Sequence, residues 1–139
     1  MAGAPRSIFA RIAAGEVPCQ KVFENEHVLA FLDIHPLADG HTLVIPKQEV
    51  AHLDQLTPEV AAELGRVLGL VARKVVQATG APGYNVLLNN GRVAGQEVEH
   101  VHFHIVPRRE GDGLGYRWRP RERTPTELEE LAARIRAMP

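Results

Sequence analysis

Short apolar runs and one long amphipathic segment divide this chain into elements. Runs rich in β-branched and aromatic residues are typical of buried strands, and such runs occur at residues 21–24, 28–32, 41–45, 84–88 and 98–106. Between residues 57 and 80 the apolar positions instead recur every three or four residues, which predicts a long helix with one buried stripe. That stripe comprises Leu64, Val67, Leu68, Val71 and Val75. Thr57 and Pro58 suit the start of this helix and Gly80 its end.

A short helix is predicted towards each end of the chain. Ser7 is suited to cap the first helix, which ends near Gly15. Its shared apolar face comprises Ile8, Phe9 and Ile12. The last helix opens with a capping box from Thr124 to Glu127. The residues that it is expected to bury are Leu128, Leu131 and Ile135. Hairpin-forming strands around one main helix predict an α+β fold with a mainly antiparallel five-stranded sheet.

Composition and charge narrow the classes of partner. The 139 residues are 45% hydrophobic and carry a formal net charge of −1, so the overall charge favours neither nucleic acid nor a membrane surface. The single cysteine, Cys19, excludes an internal disulfide, and the N-terminal residues lack the apolar core of a secretory signal. We therefore expect a cytoplasmic single domain, with its core over residues 1–108 and a tail and helix over residues 109–139.

Three histidines alternate with apolar residues between positions 100 and 106. Because strand side chains point alternately to two faces, His100, His102 and His104 are predicted to share one face while the other packs on the core. Buried imidazoles without partners are costly, so three in register indicate chemistry rather than a polar surface. A neutral imidazole attacks as a nucleophile when a hydrogen bond fixes its tautomer. A neighbouring imidazolium then stabilises phosphoryl charge or protonates the leaving group.

A metal site is the main alternative for these histidines. Two histidines in a His-x-His arrangement can both bind zinc, at about 2.0–2.1 Å. The outer two of the three would lie roughly 13 Å apart along a strand, so one ion could not easily bind all three. His100 and His102 would then need a third ligand from elsewhere, for which His41 is the candidate.

Taken with its flanking segments, the histidine motif resembles that of the histidine triad (HIT) family, and within it the Hint branch and its bacterial relatives. The family motif alternates three histidines with apolar residues and ends in two apolar residues, and residues 100–106 match it fully. The resemblance extends from Ser7 to about Arg108. The other matching segments are Ile8-Phe9, Gly15-Glu16-Val17-Pro18, Phe31-Leu32-Asp33-Ile34, residues 40–47, and Asn89 together with Gly95-Gln96-Glu97.

The resemblance implies a HIT-like fold and a homodimer with one site per subunit. The side-chain inventory requires no metal, and we expect no cofactor. It also implies cleavage at the α-phosphate of a purine nucleotide conjugate, either a phosphoramidate of AMP or GMP or a dinucleoside polyphosphate. His102 would be the nucleophile that forms a covalent nucleotidyl-histidine. His100 would orient His102 through its backbone carbonyl, and His41 would support His100. His104 would contact the α-phosphate.

The resemblance also assigns nucleotide-binding residues. The predicted further phosphate contacts are Asn89, Gly95, Gln96 and Glu97. The predicted walls of the base pocket are Ile8, Phe9, Ile12 and Phe31. Asp33 would accept hydrogen bonds from the ribose hydroxyls, with Ile34 packed nearby. Each also has a structural alternative: the apolar side chains as plain core, Asp33 as a turn former before Pro36, and Asn89 as a turn cap.

Two departures from the family pattern affect these assignments. Glu97 stands where the Hint branch often has serine, and an ionised carboxylate cannot donate to phosphate except through its backbone amide. Ser7 and Ala10 stand where some bacterial members carry a cysteine pair that binds zinc with two histidines, so we expect no structural zinc. The residues expected to lie outside the site are Cys19, His27 and His52.

Two other functions are also consistent with these residues. One is a nucleotide-binding or scaffolding protein whose catalysis is incidental, and the other is a metal-dependent hydrolase that uses His100, His102 and His41. The tail adds a basic aromatic patch, Tyr116-Arg117-Trp118-Arg119, followed by Arg121. Such a patch either stacks on a second base or neutralises a polyphosphate leaving group, or it packs on the domain or its partner, and we favour packing.

Overall fold

The computed structural model of the chain describes residues 6–115 and 118–139. Within these residues it contains one five-stranded antiparallel sheet and three α-helices. The helices are α1 (Ile8–Ala13), α2 (Pro58–Thr79) and α3 (Pro125–Arg136). The strands are β1 (Lys21–Glu24), β2 (Val28–Leu32), β3 (Thr42–Pro46), β4 (Gly83–Leu88) and β5 (Phe103–Arg108). The predicted α+β class and the mainly antiparallel sheet are therefore confirmed.

The order of the strands brings the histidine segment into the middle of the sheet. The strands lie in the order β1-β2-β3-β5-β4, and every neighbouring pair is antiparallel. In the ladder between β3 and β5, Leu43 pairs with His104 and Thr42 pairs with Ile105. The residues just before β3 therefore lie near His104 of β5.

Helix α2 covers one face of the sheet. Its first turn is capped by Thr57, whose Oγ1 accepts from the N–H of Val60, and it ends at Gly80 in the left-handed conformation with φ of 66°. The helix residues in this core are Leu64, Val67, Val71 and Val75, with Leu68 partly buried. They pack against Val28, Ala30, Val44, Val101 and Ile105. Each fully buried aliphatic side chain contributes roughly 1.5–3 kcal/mol.

Helix α1 lies against the opposite face of the sheet. It has six residues, too few to be stable alone, and Ser7 caps it by accepting from the N–H of Ala10 at 2.9 Å. The apolar cluster on this side comprises Phe9, Ile12, Leu29, Phe31, Leu43 and Ile45. Because α1 covers only part of this face, the sheet next to it remains open.

Gly40 allows β3 to begin close to the end of α2. Its φ is 89°, and a Cβ at this position would lie 2.6 Å from Cγ2 of Thr79. Only glycine avoids both the steric contact and the backbone strain. This close approach fixes the position of the backbone at His41, the next residue.

Helix α3 differs from its prediction in burial. Its cap is confirmed, since Oγ1 of Thr124 accepts from the N–H of Glu127 at 3.2 Å. Leu128, Leu131 and Ile135, expected to be buried, are 54%, 46% and 66% exposed. The prediction was wrong because an amphipathic stripe does not specify what covers it, and no residue of α3 is buried in the part of the chain that the structure describes.

The tail patch is only partly described. Tyr116 and Arg117 lie outside the described residues, whereas Trp118, Arg119 and Arg121 are exposed. The expected packing of this patch, on the domain or on a partner subunit, stays a prediction. Among the described helices, none combines the length and the apolar character that a membrane crossing requires.

Candidate active site

The histidine segment becomes a strand later than predicted. Strand β5 begins at Phe103, not at residue 98, so His100 and His102 precede it. The N–H of Val101 donates to the carbonyl of Val50 at 2.9 Å rather than to β3. The carbonyl of His100 accepts from the ring of His102. Backbone groups that a regular ladder would use are therefore used by a loop and by a side chain.

The predicted alternation of faces nevertheless holds. Val101 and Ile105 are buried beneath α2, while the rings of His102 and His104 lie on the α1 side with their centroids 5.0 Å apart. The ring of Phe9 in α1 contacts His102 edge to face at 4.8 Å. His102 is only 7% exposed, so its environment is largely shielded from water.

The tautomer of His102 follows from its partner. Its Nδ1 lies 2.7 Å from the carbonyl oxygen of His100, and a carbonyl only accepts hydrogen bonds. In the neutral ring, Nδ1 therefore carries the proton and donates it to this carbonyl, which leaves the lone pair on Nε2. This is the form in which an imidazole acts as a nucleophile.

A second hydrogen-bonded chain fixes the tautomers of His41 and His104. The N–H of Leu37 donates to Nδ1 of His41 at 3.0 Å, so the proton of His41 is on Nε2. That Nε2 lies 2.9 Å from Nδ1 of His104 and donates to it. His104 consequently carries its own proton on Nε2, where it can donate to a ligand.

Burial keeps these two rings neutral. It lowers the pKa of His41, against the opposing effect of the Asp33 carboxylate. Burial, together with the neighbouring His102 and His41, lowers the pKa of His104 to about 4, against the opposing effect of Asp33. The expected imidazolium beside the nucleophile is therefore wrong for His104, which is a neutral donor near pH 7.

The support that His41 was expected to give to His100 is also corrected. His41 and Leu43 are two residues apart and share a face, and Leu43 pairs with His104, so the ring of His41 reaches His104. The ring of His100 instead contacts the carbonyl of Pro46 and the hydroxyl of Ser7. Strand register, which the sequence pattern does not supply, decides this contact.

A largely apolar cavity of about 480 Å³ opens beside the histidines, within the range of small-molecule sites. Its lining includes His41, His102 and His104. It also includes the predicted nucleotide-binding residues Ile8, Phe9, Ile12, Phe31, Asp33 and Ile34. The predicted residues from four separate segments thus surround one space.

Several lining residues were not predicted from the sequence. These are Val17, Pro18, Cys19, Leu32, His35, Leu37, Leu43 and Val98, whereas the predicted Glu97 is also part of the lining. Cys19, expected to lie outside the site, is therefore at the wall of the cavity, and its partial burial raises the pKa of its thiol. The Gly15-Glu16-Val17-Pro18 segment, which matches the family pattern, could have pointed to these lining residues. It connects α1 to β1, so it passes the cavity beside α1.

The predicted phosphate contacts in the loop after β4 do not all lie at the main cavity. Nδ2 of Asn89 lies 3.5 Å from the carbonyl of Gly95. The side chain of Gln96 is buried, where it donates to the carbonyl of Ala51 and accepts from the N–H of Gly91, which leaves only its backbone for the phosphate contact predicted for the Gly95-Gln96-Glu97 segment. Glu97 is exposed and lines both the main cavity and a neighbouring one of about 530 Å³. Asn89, Gly95 and Gln96 do not line the main cavity.

The histidines offer one arrangement with metal-ligand spacing. The ligand atoms of Asp33, His41 and His104 lie within 4.8 Å of one another. In the described hydrogen-bond network, however, Nδ1 of His41 accepts from Leu37 and its Nε2 carries a proton, so neither nitrogen offers a free lone pair. His100 and His102 do not join His41 in this cluster, contrary to the set that the metal alternative required.

The α+β fold with one antiparallel sheet, and the histidines gathered beside an apolar cavity, place this protein in the class of HIT-fold proteins. The sequence profile described as the HIT domain matches residues 14–111. The crystal structure of a HIT family member from Bacillus subtilis has a TM-score of 0.90 and 41% identity, over 95% of this chain and 96% of that one. This chain belongs to the HIT family.

Two relatives carry names that describe an activity. The adenosine 5'-monophosphoramidase hnt1 of Schizosaccharomyces pombe is 46% identical over 129 residues, which are 92% of this chain and 94% of that protein. The adenylylsulfatase HINT3 of Arabidopsis thaliana is 42% identical over 107 residues, which are 77% of this chain and 54% of that protein.

Proposed function

We propose that this protein cleaves purine nucleotide conjugates at the α-phosphate through a covalent nucleotidyl intermediate on His102. The observation that carries the proposal is the 2.7 Å hydrogen bond from Nδ1 of His102 to the carbonyl of His100, which leaves a lone pair on Nε2 at the wall of the cavity. The relatives named as an adenosine 5'-monophosphoramidase and an adenylylsulfatase support an adenylate substrate.

The reaction would proceed in two displacements. Nε2 of His102 attacks the α-phosphorus, a phosphorus–nitrogen bond forms, and the bond to the leaving group breaks with its electron pair on that group. An amine leaving group takes its proton from solvent. Water then attacks the phosphorus and loses a proton to solvent, the phosphorus–nitrogen bond breaks with its electron pair returning to Nε2, and the nucleoside monophosphate is released. The His100 carbonyl stabilises the positive charge that the ring of His102 carries between the two steps.

His104 would stabilise the phosphoryl oxygens. Its Nε2–H donor is held by the chain from Leu37 through His41, so it needs no reorganisation during the reaction. Removal of one such preorganised donor costs about 10²–10³ in kcat in well-studied enzymes. Because Glu97 is a carboxylate, we assign its phosphate contact to its backbone amide, with Asn89, Gly95 and the backbone of Gln96 nearby.

The nucleoside would lie in the apolar cavity. The base would pack among Ile8, Phe9, Ile12 and Phe31, which supply hydrophobic area without polar selectivity. Asp33 would accept hydrogen bonds from the two ribose hydroxyls, beside Ile34. The carboxylate of Asp33 directly follows β2 and is half-buried, where a vicinal diol can reach it.

A substrate panel tests this proposal. Adenosine phosphoramidate, diadenosine polyphosphates and a dinucleotide control are each assayed for release of the monophosphate, before and after dialysis against a strong chelator. We expect multiple turnovers on at least one AMP conjugate and no loss after dialysis. Tight AMP binding without turnover would favour the binding or scaffolding function, and loss of turnover reversed by zinc would favour the metal-dependent hydrolase.

We propose a homodimer with residues 109–139 belonging to the same domain as the core. Arg108 ties the start of the tail to the sheet, through Asp112 at 2.7 Å and Asn85 at 2.7 Å. The exposed stripe of α3 and the exposed Tyr84 and Val86 of the edge strand β4 then offer apolar area for a second copy. For location we propose the cytoplasm, in keeping with the one free thiol, Cys19.

The substitution Val86→Glu is expected to raise the dissociation constant of the dimer at least about 100-fold. The two-fold symmetry of the dimer would place the introduced carboxylate in the buried interface twice. Light scattering after size exclusion measures the mass over a concentration series. The matched control is Val93→Glu, on an exposed loop residue, which should leave the mass unchanged. A wild-type monomer at all concentrations, or equal masses for both variants, would contradict the proposal.

A further inference from the structure

Ser7 joins helix α1 to the first histidine of the triad by a continuous hydrogen-bonded chain. Its Oγ accepts from the N–H of Ala10 at 2.9 Å and lies 2.9 Å from Nδ1 of His100. Nε2 of His100 lies 2.8 Å from the carbonyl of Pro46 at the end of β3. The His100 side chain is fully buried, so these two partners are its polar surroundings in the described structure.

The direction of each hydrogen bond in this chain is determined. The carbonyl of Pro46 only accepts, so Nε2 of His100 carries a proton. In the neutral ring Nδ1 is then an acceptor, and the hydroxyl of Ser7 donates to it while accepting from Ala10. Burial lowers the pKa of His100, against the opposing effects of the Pro46 hydrogen bond and the Glu49 carboxylate, which favours this neutral ring.

His100 transmits this arrangement to the nucleophile. The carbonyl of His100 accepts from Nδ1 of His102 at 2.7 Å, so rotation of residue 100 would misalign His102. Ser7 is also the first residue of the segment whose Phe9 contacts the ring of His102 and lines the base cavity. The backbone N–H of Ser7 is itself fixed, because it donates to Glu49 at 2.9 Å.

We propose that Ser7 is a positioning residue for His102, acting through His100. Its hydroxyl holds His100 in one tautomer and one orientation, and it couples helix α1 at the base cavity to the alignment of the nucleophile. This inference rests on the proposed function of His102. It adds a role for a residue that does not line the cavity and does not touch the substrate.

Three substitutions separate this role from simple helix capping. Ser7→Ala removes both the cap and the donor. Ser7→Thr keeps both. Ser7→Asp keeps the cap, since aspartate is a good N-cap residue, but its carboxylate cannot donate to His100 and instead favours a doubly protonated ring. A role limited to capping predicts that Ser7→Asp behaves like the wild type, whereas the positioning role predicts that it does not.

We expect kcat to fall about tenfold or more in Ser7→Ala and Ser7→Asp, as for one lost buried hydrogen bond. KM should stay within about twofold, and Ser7→Thr should retain wild-type kcat. Nitrogen-15 NMR of the histidine rings gives a readout without turnover. It should show His100 protonated at Nε2 alone in the wild type and in Ser7→Thr, and at both nitrogens in Ser7→Asp near pH 6.

Opposite results would overturn the inference. These are a wild-type His100 protonated at Nδ1, an unchanged kcat in Ser7→Asp, or a Ser7→Thr variant as slow as Ser7→Ala. If Ser7→Ala does not fold, the two other variants still decide the question. Failure of the proposed function is distinguishable, because then no variant forms a nucleotidyl adduct, whereas failure of this inference leaves adduct formation equally fast in Ser7→Asp and the wild type.

Discussion

Replacement of His102 by asparagine or glycine is expected to lower turnover of the AMP conjugate by about four orders of magnitude or more. The neighbouring rings of His41 and His104 carry their protons on Nε2 and therefore do not offer the same free lone pair there. Loss of a nucleophile in enzymes with covalent intermediates has effects of this size. The variant should still fold and bind AMP, because the apolar lining of the cavity is unchanged.

The matched control for this prediction is His27→Asn. His27 lies at the β1–β2 turn near Glu59, away from the cavity, so the same substitution there should leave kcat within about twofold. Rates are measured on purified protein with AMP affinity determined in parallel. Near-normal turnover by either His102 variant would contradict the assignment, whereas loss of turnover together with loss of AMP binding would point to a structural defect.

The free energy of unfolding is expected to decrease as the pH falls from about 6.5 to about 4. Burial lowers the pKa of His104 to about 4, while its ordinary value is 6.5. In this pH range the unfolded chain binds a proton at His104 that the folded protein does not. The stability that the neutral His104 contributes is therefore fully present above the pKa of the unfolded state and is lost as the pH falls towards the pKa of the folded state. His104 alone accounts for about 2 kcal/mol at pH 5 and about 3 kcal/mol near pH 4.

Two other histidines act in the same direction, and the carboxylates act at lower pH. Burial also lowers the pKa of His41 and of His100, which adds to the loss. Hydrogen bonds from Lys21 and Lys47 lower the pKa of Glu24 from its ordinary value of 4.5 to about 2. The stability that Glu24 contributes is therefore lost only when the pH falls below about 4.5. The interval from pH 6.5 to 5 therefore isolates the imidazoles.

Denaturant unfolding at fixed protein concentration measures this dependence. The comparison variant is His104→Asn, which removes the largest contributor and should flatten the decrease between pH 7 and 5 by about 2 kcal/mol. Fixed concentration matters because dimerisation itself would stabilise the folded state. A wild-type stability that is constant between pH 7 and 5, or identical slopes for the two proteins, would contradict the neutral assignment of His104.

The elements that local patterns define were predictable from the sequence. The stripe of α2 between Thr57 and Gly80 is visible because helical periodicity persists over about three turns, from Leu64 to Val75. The β1–β2 hairpin is visible because two apolar runs flank a short polar turn. The alternation of His102 and His104 with Val101 and Ile105 was likewise predictable, since it depends only on the two-residue period of extended chain.

Contacts that depend on register or on distant segments were not predictable. His41 contacts His104 because of how β3 pairs with β5, which no local pattern records. The late start of β5 results from the His102 ring taking the carbonyl of His100. The place of Cys19 in the cavity wall and the exposed stripe of α3 depend on which surfaces meet, and periodicity does not contain that information.

Mass spectrometry of the protein during a single turnover would detect the proposed covalent intermediate on His102. Enzyme in excess is mixed with adenosine phosphoramidate and quenched in alkali within milliseconds to seconds, because a phosphorus–nitrogen bond to imidazole hydrolyses readily in acid. The account predicts a transient mass increase of one adenylyl group, located by peptide fragmentation to His102 and absent in His102→Gly. Full conversion of substrate with no adduct at any time, or an adduct on another residue, would contradict it.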